Sequence, residues 1–389
     1  MGGVSSKSKM GSMDEEENTN EKRCPHLPAE IIIEILFRLP HRSLLKFRCV
    51  SKLWSVLFNS PKLIDTIQHN FSIMDRIRND MYCIDNGSLS ASSLLDGIDS
   101  RIQKIHCPVV DDHFRISFMA SCNGLFCIRT TKRHDCSLWD PSRGDYERIP
   151  PPPPDPFPVD KFLYRSGSTF VAIGYGFGYD SKSDDYKFVR FTSYLNLNLS
   201  EAEIYSLRSN SWKRIQHISY LLSPQTYKYG VFYNGSLHWQ SSSSPKALIA
   251  LHMTDEFIRG ISPPENPDFE KFCNTEYIDV LNGCLSMLYS NVDLGYEVWS
   301  MKDYGNKESW IKIYSISKLS IPLETGWFGR LRRIACLKSG EILLEVFHLG
   351  MNRTTTEALV LYDMKNETSR FLKYHKDTIT SLSFHSYVK

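Results

Sequence analysis

The stretch EIYSLRSNSWKRI, residues 203–215, joins an apolar run carrying an aromatic to a polar turn and a second aromatic. That is the pattern of two short strands connected by a hairpin. It returns as SLWDPSRGDYERI (137–149), ALIALHMTDEFIRGI (247–261), YEVWSMKDYGNKESWIKI (296–313) and LVLYDMKNETSRFL (359–372). Before the copies stand Asn-Gly hairpin signals, at Asn123-Gly124-Leu125, Asn234-Gly235-Ser236-Leu237 and Asn282-Gly283-Cys284-Leu285, with Ser339-Gly340-Glu341-Ile342 a weaker form. Taking Trp139, Tyr205, His252, Trp299 and Tyr362 as equivalent core markers gives spacings of 66, 47, 47 and 63 residues. Units of this size with four strand signals each fit the blades of a β-propeller. Five units are visible, and strand-like stretches near 81–107 and 379–387 supply or complete a sixth, so the expectation is about six blades. Pairing strands from both ends of such a ring would hide sheet edges that are otherwise exposed.

Ahead of this all-β region the period of the apolar residues changes from 2 to 3.6. Residues 27–58, LPAEIIIEILFRLPHRSLLKFRCVSKLWSVLF, hold 19 apolar residues in 32. Pro28 suits a first helical turn, and Pro40 ends the helix. A first helix over about 28–38 is predicted, then short helices over about 42–48, after Ser51, and from Ser60-Pro61. Ile31, Ile32, Ile33, Ile35, Leu36 and Leu39 cannot all face inward in so small a unit, so part of that surface must meet another body. Residues 1–24 are polar, carry the acidic run Asp14, Glu15, Glu16, Glu17, and read as a solvated tail. The tail opens with the acylation pattern M-G-x-x-x-[ST], so Gly2 is a candidate myristoylation site, against the plainer reading of a flexible start. One acyl chain gives only reversible membrane binding. The expected organisation is a tail over 1–24, a helical module over 25–70 and a β domain over 71–389. The fold class is therefore α+β multidomain, a small N-terminal all-α module followed by an all-β, propeller-like domain.

Composition narrows the function classes. Of the 389 residues 41% are hydrophobic and 23% charged, enough to bury a core, and a net charge of +2 argues against nucleic acid as the main partner. No run approaches the roughly 20 apolar residues of a membrane span, and no apolar core of a secretory signal is present. Ten dispersed cysteines without C-x-x-C spacing read as reduced thiols, which points to the cytoplasm or nucleus. Twelve histidines lack metal-ligand spacing, so neither a metal nor a cofactor is expected. Gly174-Tyr175-Gly176-Phe177-Gly178 opens no helix and reads as a strand with small residues, not a phosphate cradle. Arg330, Arg332 and Arg333 read either as an anion-binding patch or, more commonly, as a solvated loop. The proline run IPPPPPDPFPVD (149–160) reads as a stiff loop between blades, with an SH3 or WW ligand as the alternative.

Residues 27–58 resemble an F-box. Leu27-Pro28 opens the motif, Leu39-Pro40 closes helix one, and Val50-Ser51-Lys52-Leu53-Trp54 ends it, with Leu44, Phe47 and Cys49 also fitting. The remainder is similar to the F-box-associated domain of plant F-box proteins, the group that includes the F-box/kelch and S-locus types. The matching pieces are Ser121-Cys122-Asn123-Gly124-Leu125, Trp139-Asp140-Pro141-Ser142-Arg143, Gly176-Phe177-Gly178-Tyr179-Asp180 with Asp184-Asp185-Tyr186-Lys187, and Asn234-Gly235-Ser236-Leu237-His238-Trp239. The resemblance implies a non-catalytic, substrate-recognition subunit of an SCF-type ubiquitin ligase. In it a Skp-type adaptor joins the F-box to a cullin and a RING protein, and the β domain holds an unknown protein target. Adaptor-binding residues implied by the motif are Leu27, Pro28, Ile32, Ile35, Leu36, Leu39, Pro40, Leu44, Val50, Lys52 and Trp54. Candidate target-binding loops are 149–168, 192–200, 240–246 and 262–275. The rival readings are an F-box scaffold that sequesters its partner without degradation, and a propeller enzyme, for which no catalytic signature is found.

Overall fold

The computed structural model describes residues 72–77, 80–85, 102–105, 116–123, 125–130, 136–140, 144–154, 171–223, 229–242, 247–265, 274–281, 283–291, 295–317, 327–336, 340–349 and 355–371. The helical module, Gly2 and the stretch 379–387 lie outside them. Three strands, β1 (Ser72–Ile77), β2 (Asp80–Asp85) and β3 (Ile102–Ile105), form an antiparallel sheet. The expected strand signal near 81–107 is thus observed.

Five four-stranded meanders follow and form a β-propeller. Blade one is β4 (Ile116–Cys122), β5 (Leu125–Thr130), β6 (Cys136–Trp139) and β7 (Tyr146–Arg148). Blade two is β8 (Val171–Asp180), β9 (Asp185–Tyr194), β10 (Leu199–Ser206) and β11 (Ser211–Ile218). Blade three is β12 (Val231–Tyr233), β13 (Ser236–Gln240), β14 (Leu248–His252) and β15 (Ile258–Ile261). Blade four is β16 (Asn274–Leu281), β17 (Cys284–Asn291), β18 (Gly295–Met301) and β19 (Trp310–Ser317), and blade five is β20 (Trp327–Cys336), β21 (Ile342–Leu349), β22 (Thr355–Asp363) and β23 (Thr368–Phe371). The repeat read from the sequence is the observed repeat: all five markers fall on the third strand of a blade. The Asn-Gly signals fall between first and second strands, where Asn234 (φ 46) and Gly235 (φ 71) make a turn with both central residues left-handed.

Four apolar seams hold these blades together. Because successive strand residues point to opposite faces, a sheet between two neighbours must be apolar on both. In β14, Ile249 and Leu251 pack toward blade two, while Leu248 and Ala250 pack toward blade four. Met119, Cys127 and Leu138 meet Phe177, Phe188 and Tyr205 between blades one and two, and Leu288 and Val298 meet Ile342 and Leu344 between blades four and five. The markers differ in burial. Trp139, Tyr205 and Tyr362 are fully buried, whereas Trp299 and His252 are partly exposed. Trp299 packs against the blade three and four seam beside the buried Met301 and Trp310, and donates from Nε1 to Glu297 (3.0 Å). The Arg330, Arg332, Arg333 cluster departs from the loop reading: all three lie within β20, the first strand of blade five.

The Gly-aromatic run is strand β8, and its glycines face blade three. A Cβ on Gly176 would stand 2.7 Å from Leu237 Cδ1 and 2.8 Å from Trp239 Cζ2, and one on Gly178 would stand 2.5 Å from the Phe232 ring. A Cβ on Gly230 would stand 2.5 Å from the same indole. Small residues are needed here because the neighbouring aromatics lie against the backbone itself. Trp239 donates from Nε1 to the Tyr175 carbonyl (3.1 Å), which also accepts the Gly230 N–H (2.6 Å). Gly176→Ala is expected to lower stability by about 1–3 kcal/mol through overpacking, read as a fall in melting temperature; an unchanged value would show that the seam is looser than described.

Candidate partner-docking face

Antiparallel meanders sort their connections onto two ends of the propeller. Links after the first and third strands of each blade emerge on one end and run from two residues (234–235) to eight (302–309). Links after the second strand, and those between blades, emerge on the other and reach 22 residues (149–170). We call these the turn face and the loop face. The described ends of all four candidate loops lie on the loop face.

The turn face is stapled by polar groups. Asp180, at the end of β8, accepts from the Ser183 hydroxyl (2.7 Å), the Lys182 N–H (3.0 Å) and the Thr254 hydroxyl of blade three (2.6 Å). Lys187 forms an ion pair with Asp180 (3.1 Å) and reaches the Met253 carbonyl (2.6 Å) and Glu256 (3.1 Å), both of blade three. Burial opposes the charged form of Asp180, yet the hydrogen bonds from Thr254, Ser183, Lys187 and Lys182 outweigh it and hold the carboxyl well below its usual range. Burial likewise opposes the Lys187 charge, but Asp180 and Glu256 hold its pKa above the ordinary lysine value. Asp185 accepts from the Ser206 hydroxyl (2.5 Å) and the Arg208 N–H (2.9 Å). Asp180 and Lys187 bridge blades two and three, and Asp185 ties β9 to the β10 end within blade two; both are structural work.

A second staple joins blades three and four. His238 is fully buried in β13, with Nδ1 3.0 Å from the Val231 carbonyl and Nε2 2.7 Å from the Tyr304 hydroxyl in the link 302–309. The Arg259 guanidinium lies 5.4 Å from the Tyr304 ring centroid. Tyr233 donates to the Gly283 carbonyl (2.5 Å). Burial, with a smaller push from Arg259 and against the Val231 carbonyl, takes the His238 pKa down to about 4.

The described part of the proline run, 149–154, lies beside β11 of blade two. Trp212 Nε1 donates to the Pro150 carbonyl (3.1 Å), and Arg214 Nη2 donates to Pro154 (2.8 Å) and Pro153 (3.3 Å). Arg214 also pairs with Glu203 (3.1 Å), a buried carboxylate that Arg190 grips through two nitrogens (2.8 and 3.0 Å). Carbonyls engaged this way favour the stiff inter-blade loop over an SH3 or WW ligand. Within 192–200 only Leu195–Leu197 and Asn198 form the turn; Thr192, Ser193, Tyr194 and Ser200 are buried strand residues. Leu197 is half exposed (50%) at its tip. Among the described residues no three His, Cys, Asp or Glu side chains converge to hold a metal.

Comparison with known families decides the identity. Residues 78–388 match the model of the F-box associated beta propeller domain, and residues 24–66 match that of the F-box domain. The chain belongs to the F-box-associated propeller family. It is 29% identical to the Arabidopsis thaliana F-box protein CPR1 over 382 residues, covering 92% of this chain and 86% of the relative. The Arabidopsis F-box/kelch-repeat protein At3g23880 is 26% identical, covering 81% of this chain and 86% of its own.

Within this F-box-associated propeller the family motifs acquire physical roles. Gly176-Phe177-Gly178-Tyr179-Asp180 and Asp184-Asp185-Tyr186-Lys187 are the β8–β9 hairpin and its staple to blade three. Asn234-Gly235-Ser236-Leu237-His238-Trp239 is the β12–β13 hairpin, ending in the two side chains that fasten blade three to blades four and two. Leu27, Pro28, Ile32, Ile35, Leu36, Leu39, Pro40, Leu44, Val50, Lys52 and Trp54 lie outside the described residues. Sequence reasoning did not single out Thr254, Glu256 and Tyr304, because the hydrogen bonds that join them to Asp180, Lys187 and His238 span 74, 69 and 66 positions.

His238 generates a pH test. The unfolded imidazole takes its proton near pH 6.5, whereas the folded one waits until about 4. Between those values the unfolded state binds more protons, so stability falls as the pH drops from about 6.5 toward 4, by up to about 3 kcal/mol. His238→Gln is expected to flatten that part of the acid limb in melting temperature against pH; an unchanged limb would assign the loss to other groups.

Proposed function

We propose that this chain is the substrate-recognition subunit of an SCF-type E3 ubiquitin ligase. The observation that carries the reading is the presence in one chain of an F-box match at 24–66 and an F-box-associated propeller match at 78–388. The F-box docks a Skp-type adaptor, which bridges to a cullin and a RING protein. The surplus apolar surface of helix one, Ile32, Ile35, Leu36 and Leu39, supplies the contact, framed by Leu27, Pro28, Pro40, Leu44, Val50, Lys52 and Trp54. Truncating an anchor in such an interface costs about 2 kcal/mol or more.

The propeller's part is to hold a protein target on its loop face. The turn face is occupied by short hairpins and staples, while the loop face carries the long connections that vary in length without disturbing blades. The three-stranded sheet β1–β3, with 379–387, serves in this reading as a sixth, closing blade. No bond chemistry is assigned to the chain itself: it holds a target lysine near a ubiquitin-loaded enzyme and so raises the effective concentration of the reacting pair. The cytoplasm and nucleus are the places for this work, with peripheral membrane association if Gly2 is myristoylated.

Co-expression with a plant Skp-type adaptor and size-exclusion chromatography test the reading. Wild type is expected to form a one-to-one complex and Leu39→Ala/Pro40→Ala to lose it with an unchanged near-UV circular dichroism spectrum; a complex retained by the double variant would overturn the docking assignment. Turnover of the bound target is expected to stop on deletion of 27–58, and continued turnover would favour a scaffold. Gly2→Ala is expected to move the protein from membrane to soluble fractions, and identical fractionation would remove the acylation.

A further inference from the structure

Three sulfur atoms meet at the seam between blades one and two. A bulge in β4, between Phe118 and Ala120, leaves Met119 outside the strand register. Bulges re-aim the side chain they release. The Met119 Sδ lies 3.9 Å from Cys127 Sγ and 3.7 Å from Cys136 Sγ. Cys127 on β5 and Cys136 on β6 share a sheet face, because Cys136 pairs with Arg129, which stands two residues beyond Cys127. Cys127 and Met119 are buried, and Cys136 is partly exposed, so the cluster is closed on the blade-two side and reachable beside Cys136.

Two features set this apart from ordinary apolar packing. A three-coordinate ion with metal–sulfur bonds of about 2.3 Å holds its ligand sulfurs about 4 Å apart. The two separations from Met119 already have that size. The second feature is a cation on the same face. Arg129 sits directly opposite Cys136 and its guanidinium is 5.8 Å from the Tyr175 ring centroid. Its buried Nε has no hydrogen-bond partner among the described residues. A guanidinium with an unused donor on the same sheet face as the two cysteines can supply the charge that a pair of thiolates needs.

We propose that Met119, Cys127 and Cys136 form a binding site for a soft monovalent metal ion, Cu(I), with Arg129 as the compensating cation. Two thiolates and a thioether are the donors that such an ion prefers, and harder ions would find no oxygen ligand among the three. On binding, both thiols release their protons, two thiolate–copper bonds and one thioether–copper bond form, and no electron is transferred. One positive ion and two thiolates leave a single negative charge, which Arg129 offsets. The ion would tie β4, β5 and β6 together where blade one meets blade two.

The test is an anaerobic competition between the reduced, full-length protein and the coloured Cu(I)–bicinchoninate complex, for wild type, Met119→Leu and Cys136→Ser. Wild type is expected to withdraw one equivalent that Cys136→Ser does not, and Met119→Leu to bind it at least about tenfold more weakly. Copper is expected to raise the melting temperature of wild type and not that of Cys136→Ser. Leucine keeps the volume of methionine, so Met119→Leu remains informative even if the serine variant fails to fold. Equal uptake and affinity in wild type and Met119→Leu would place the copper on other cysteines and overturn the site, as would the absence of any uptake by wild type.

Discussion

The close approach of Trp239 to the glycines of β8 is the contact around which the described propeller is organised. A four-stranded sheet has two broad faces, and neither is stable alone in water unless another layer covers it. Here each cover is the next sheet. Where blade three meets blade two, the indole lies against backbone at Gly174, Gly176 and Gly230, so the first strands approach more closely than side chains on both sides would permit. The Tyr175 carbonyl then takes two donors from across the seam, which fixes the relative height of the sheets as well as their spacing. Apolar area provides most of the attraction, and the hydrogen bonds set the register.

Polar staples add specificity to a seam that apolar packing alone would leave free to slide. Lys187 and Asp180 are both nearly buried, and a buried pair of this kind contributes less net stability than its Coulomb attraction suggests, because both ions give up water. Its larger effect is discrimination: a displaced blade three would strand a charge without Thr254, the Met253 carbonyl and Glu256 to receive it. The same argument applies to His238, whose neutral ring is held between a carbonyl and a tyrosine hydroxyl.

Much of this was legible in the sequence because it is local. Hairpins announce themselves through Asn-Gly pairs, and third strands through apolar runs with an aromatic, so the positions of Trp139, Tyr205 and Tyr362 followed from spacing alone. Legibility ended where the decisive partner is distant in sequence. Trp299 and Trp310 look alike as strand aromatics, and only the fold shows that Trp310 is the buried one. Blade two has no Asn-Gly signal; its first hairpin uses Asp180 to satisfy Lys182 and Ser183, a local turn chemistry that the repeat search passed over. Arg330, Arg332 and Arg333 looked like a solvated loop because charge dominates the segment, although Leu331 between them and Ile334 after them suit a strand. The candidate loops share one face because of meander topology, which composition does not contain.

The two ends of the propeller differ in what they allow to change. A two-residue turn such as Asn234-Gly235 tolerates no insertion without shifting the register of both strands it joins, so that end resists alteration by descent and by engineering alike. The opposite end joins strands through spans whose ends are already anchored, and lengthening an anchored span costs little entropy, roughly 0.6 kcal/mol for each doubling. Duplicate copies of such a gene can therefore diverge in what they recognise by gaining and losing residues there, while inheriting the same scaffold intact. For the experimenter the same asymmetry locates the sites where a reporter peptide or a photo-crosslinker is least intrusive.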